Sequence, residues 1–187
     1  LHENIEDNDL YFYLNIFSKN NEGYENLLKC VSNAYTFNKG NAYVTVEDLI
    51  KFKDGLIILS GGSNSILTHS TGHMITKQSQ QFISDFKKEF NDNFYIEIQR
   101  FGSVDYRLNE EAVLNLAYDH QIPLVATNDA YFEGPEHFEA HDALMCIEKK
   151  LFVSQADRKR LSKEHYFKSQ NEMLEQFHNL PEALNNT

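Results

Sequence analysis

The feature that most restricts the fold is a repeated change of period along the chain, from short apolar runs to longer amphipathic ones. Residues 11–17 (YFYLNIF), 55–60 (GLIILS), 93–99 (NFYIEIQ) and 122–127 (IPLVAT) have strand length and are rich in aliphatic, β-branched or aromatic side chains. Between them, apolar residues recur at intervals of three and four, which places them on one face of a helix. Tyr24, Leu27, Leu28, Val31 and Tyr35 do so after the turn at residues 20–23. Ile75, Phe82, Ile83, Phe86 and Phe90 do so within 74–90. Residues 46–52 predict a short helix with Val46, Leu49 and Ile50 inward, and 108–118, 135–147 and 169–177 predict further helices. Strands alternating with helices imply an α/β fold, because a parallel connection needs a crossover that a helix supplies. The period alone is satisfied equally by a distorted β/α barrel and by an open doubly wound sheet.

Composition narrows the class. The 187 residues suffice for one domain, and 41% hydrophobic with 13% aromatic residues supports a packed core. The purely apolar runs, such as 56–59, are too short to span a bilayer, and no basic-then-apolar segment opens the chain. Cys30 and Cys146 are far apart and match neither a disulfide framework nor a zinc pair, so a cytoplasmic location is expected and no membrane partner. A formal net charge of -11 repels a phosphate backbone, so this segment is not expected to grip DNA. The chain starts at Leu1, and residues 180–187 (LPEALNNT) read as the opening of a helix, with proline in its first turn. The expectation is an internal piece of a longer protein.

Four stretches in order, residues 20–28 (NNEGYENLL), 54–62 (DGLIILSGG), 94–100 (FYIEIQR) and 123–130 (PLVATNDA), carry a family resemblance. Residues 138–142 (FEAHD), 166–169 (YFKS) and 180–187 extend it. Together they resemble the PHP (polymerase and histidinol phosphatase) domain of the DNA polymerase III alpha subunit, over nearly the whole chain. The resemblance implies a partial distorted β/α barrel of parallel strands and helices, with residues 1–187 a PHP domain truncated at both ends. The palm, fingers and downstream modules would lie outside, with the polymerase's catalytic aspartates and its Mg. It implies as partners a proofreading exonuclease subunit and other replicase subunits, with DNA reached through the parent polymerase and not through this piece.

In competent PHP domains, His, Asp and Glu side chains at strand ends hold Zn, Mn or Fe ions that activate water and clamp phosphate. The resemblance implies two such positions here, and both depart from the pattern. After Asp129, the place that competent members fill with His holds Tyr131, and the place after Arg100 holds Phe101. An Asp-x-His pair on an extended strand aims both groups the same way. A phenol is a poor substitute for imidazole at neutral pH, and a phenyl ring binds no metal. The expected outcome is a metal-depleted scaffold with no cofactor of its own; the competing reading is an active metal-dependent phosphoesterase or 3′–5′ exonuclease.

The vestigial candidates are Glu97, Arg100, Asp129 and His141, with Asp129 the remaining metal candidate. Each has a plainer role. Asp129 could cap a turn, Glu97 could be held by Arg100 or a backbone donor, and His141 could be an ordinary helix histidine. The pairs His69/His73 and His137/His141 have i, i+4 spacing without an evident third ligand. Gly61-Gly62-Ser63 after a strand is favoured as a tight turn over a phosphate cradle, which would want a lysine. Tyr11-Phe12-Tyr13 is favoured as packing over base stacking, since few cations flank it.

Overall fold

The computed structural model describes residues 12–37, 42–62, 65–67, 76–101, 104–158 and 160–187. The expectations placed on Tyr11, Ser63, Ile75 and the His69/His73 pair lie outside the described residues. Four strands, β1 (Asn15–Ser18), β2 (Leu56–Leu59), β3 (Phe94–Gln99) and β4 (Leu124–Thr127), form one sheet in the order β1-β2-β3-β4. A sequential order is that of a barrel segment; a doubly wound sheet reverses its order at a switch point. The fold is a mixed α/β arrangement in which a four-stranded sheet alternates with helices. Strands β2, β3 and β4 are mutually parallel, as expected, but β1 runs antiparallel to β2. Ser18, the last residue of β1, pairs with Leu56, the first of β2, so the chain re-enters the sheet at the end it left. A strictly parallel sheet is therefore corrected to a mixed one.

Seven helices accompany the strands among the described residues: α1 (Asn21–Phe37), α2 (Val46–Lys51), α3 (Lys77–Phe90), α4 (Val104–Asp119), α5 (Phe138–Lys149), α6 (Gln170–Gln176) and α7 (Pro181–Asn185). Side chains alternate across a strand. Leu56 and Ile58, Phe94, Ile96 and Ile98, and Leu124 and Ala126 form one fully buried layer. Cys30, Leu49, Ile83, Phe86, Phe90, Leu116, Phe177 and Ala183 complete the same core. Phe86 is its hub, with ring centroids 4.1 Å from Phe82, 5.2 Å from Phe90 and 5.6 Å from Phe94. Helix α3 starts where Thr76 accepts from the Ser79 N–H, a side-chain N-cap.

Helix α1 is rotated from the expected setting. Tyr24, Leu28, Val31 and Tyr35 face water, and the buried side is Gly23, Cys30 and Ala34 with Leu27 half-buried. The cause is a close backbone approach: a Cβ on Gly23 would lie 1.9 Å from the Gly55 carbonyl oxygen. Small residues let the helix sit there, and once it does the larger side chains have no room beneath it. Residues 181–185 form the helix α7 that the sequence predicts to open here, with Ala183 buried, and the Asn186 side chain donates to the Leu124 carbonyl at 2.7 Å.

Replacing Phe86 by Ala is expected to cost about 3–5 kcal/mol of stability through cavity formation. Replacing the outward Leu28 by Ala should stay within about 0.5 kcal/mol. Urea denaturation of both variants checks the core and the rotation of α1 together.

Candidate functional site

Residues of opposite parity to the core layer make a polar network on the other side of the sheet. At its centre is Glu97, 3% exposed. Its Oε1 accepts from Asn15 Nδ2 at 3.1 Å, Gln99 Nε2 at 3.1 Å and the Thr127 hydroxyl. Its Oε2 accepts from Asn15 Nδ2 at 2.9 Å and the Gly61 N–H at 3.2 Å. The Glu97 N–H in turn donates to Ser60 Oγ at 3.0 Å. The partners come from β1, the turn after β2, β3 and β4, so one carboxylate ties all four strands. Buried charge is tolerated where such donors satisfy it. Gly61 makes the approach of the turn possible: its φ is +93°, and a Cβ there would fall 1.7 Å from the Tyr13 carbonyl oxygen. Of the readings weighed for Glu97, a backbone donor is present, and the Arg100 partner is corrected.

Arg100 shares the parity of Ile96 and Ile98 and turns to the helix side. Its guanidinium pairs with both oxygens of Glu110, at 3.0 Å from Nε and 2.5 Å from Nη2. Nη1 donates at 2.7 Å to the Gln176 carbonyl and to Asn179 Oδ1, and the group lies 4.7 Å over the Phe177 ring. Arg100 thus clamps the end of α6 to the end of β3, away from Asp129.

Phe101 and Tyr131 both pack on one ring, that of a residue which sequence reasoning missed. The His165 ring, 6% exposed, lies 4.5 Å from the Phe101 ring and 6.0 Å from the Tyr131 ring. Ser162 holds it: the Ser162 N–H reaches Nδ1 at 3.2 Å, and the Ser162 hydroxyl, 2.9 Å from Nδ1, also lies 2.8 Å from the Phe101 carbonyl. The backbone of this segment runs beside the end of β4. The Tyr131 N–H donates to the His165 carbonyl and the Phe167 N–H to the Phe132 carbonyl, both at 2.9 Å. No strand period marks residues 162–168, so no local signal could have revealed His165.

Asp129 sits half-buried beside this aromatic group. Partial burial, then the Asp129 charge, push the Tyr131 phenol up. Burial holds the His165 imidazole below its ordinary value, against opposing pulls from the Ser162 backbone and Asp129. His141 packs on Tyr131 and Phe132, with centroids at 5.7 and 5.5 Å. The described residues do not fit a multinuclear metal cluster. Among the described residues no three His, Cys, Asp or Glu side chains are grouped to hold a metal ion, and the Glu97 oxygens already face protein donors.

Next to His141, Asp142 turns inward and is 2% exposed. Arg158 binds it in a bidentate pair, with Nη2 to Oδ2 at 2.6 Å, and Arg160 adds a contact at 3.0 Å. Arg158 foremost, helped by Arg160, holds the Asp142 pKa down at about 2.

The PHP domain family model matches residues 3–101 of the chain. A DNA polymerase III subunit alpha from Caulobacter vibrioides is 38% identical over 176 residues, covering 93% of this chain and 15% of the relative. Proteins of the same name from Haemophilus influenzae and Borreliella burgdorferi are each 34% identical, covering 96% and 94% of this chain and 16% of the relative. The chain thus spans only about 15% of the length of these curated relatives. Among the described residues no helix is long and apolar enough to cross a membrane.

Two outcomes follow from this geometry. Glu97→Gln puts an amide NH2 against donors it cannot accept from, and is expected to cost about 1–3 kcal/mol in denaturant titration. Asp142 is depressed in the folded state, so its stabilising contribution is complete above the unfolded value of about 3.9 and lost as pH falls toward 2. Thermal melts between pH 6 and pH 2 should show a drop that is shallower in Asp142→Asn.

Proposed function

Because this chain belongs to the PHP domain family, we propose that it is the PHP module of a DNA polymerase III alpha subunit and acts there as a scaffold without chemistry of its own. The observation that carries this reading is the packing of Phe101 and Tyr131 on His165, where competent relatives present imidazoles to metal. An aromatic cluster at that end of the sheet contributes packing in place of ligand bonds. The saturated Glu97 carboxylate supports the same reading, since its lone pairs are directed to Asn15, Gly61, Gln99 and Thr127.

In this role the parent subunit is a DNA-directed DNA polymerase that works with Mg and meets DNA through its other modules. The module holds the subunit together and docks a proofreading exonuclease subunit in the cytoplasm. The docking rests on family kinship, and the acidic balance of the chain supports leaving DNA contact to other parts.

Elemental analysis of the purified full-length subunit, after removal of its polymerase-bound Mg, is expected to find no stoichiometric zinc, manganese or iron. A stoichiometric transition metal, with phosphoesterase or 3′–5′ exonuclease activity abolished by Asp129→Ala, would establish the active alternative instead. The docking role requires that the PHP-containing subunit retain the exonuclease in pull-down and that deletion of the PHP module release it.

A further inference from the structure

We draw no further inference here: the strongest candidate, the apolar stripe of Tyr24, Leu28, Val31 and Tyr35 that α1 turns to solvent, is an unpartnered helix face, and nothing in the structure shows what covers it.

Discussion

The arrangement of the sheet depends on the burial of one polar side chain. The Glu97 carboxyl group can lie away from water only if partners satisfy its oxygens, and those donors come from β1, the turn after β2, β3 and β4. The requirement fixes the register of β1 on β2, since Asn15 must lie opposite Leu59 for its amide to reach across. It also fixes the turn at Gly61, whose N–H faces the carboxylate because its backbone is left-handed. Apolar packing on the helix side sets how much surface is buried; the carboxylate decides which strands meet at this end.

Around that centre the two sides of the sheet divide their work by parity. Ile96 and Ile98 face the helices, and Arg100 continues the same side to clamp α6 through Glu110, Gln176 and Phe177. Glu97 and Gln99 face the other way, toward the end where Asp129, Tyr131 and His165 gather. Alternation in one strand thus separates the clamp from the end where those residues gather. That end is closed by Phe101, Tyr131 and His165, whose ring contacts need no ion to persist.

Much of the fold was readable in the chain because strand and helix periods reflect local backbone geometry. The runs at 55–60, 93–99 and 122–127 became β2, β3 and β4 within a residue or two, and residues 135–147 became a helical turn leading into α5. The rotation of α1 was not readable, because a period names a face but not the neighbour that claims it. The Gly23–Gly55 contact made that choice, and it joins residues distant in sequence. For the site, Asp129, Tyr131 and Phe101 were recognisable from motif position. Arg100 was misassigned because its partners, Glu110 and the end of α6, share no pattern with it.

By itself the sequence determined the strand and helix alternation and the family to which the chain is similar. Those are properties of residue type and spacing, which the linear chain carries in full. Only the tertiary structure decided that β1 runs antiparallel, that Glu97 is shared by four strands, that His165 packs on Phe101 and Tyr131 and that Arg158 holds buried Asp142. Each of these depends on contacts between segments far apart in the chain. The energies that select them, of desolvation, buried hydrogen bonding and close packing, exist only once those segments meet.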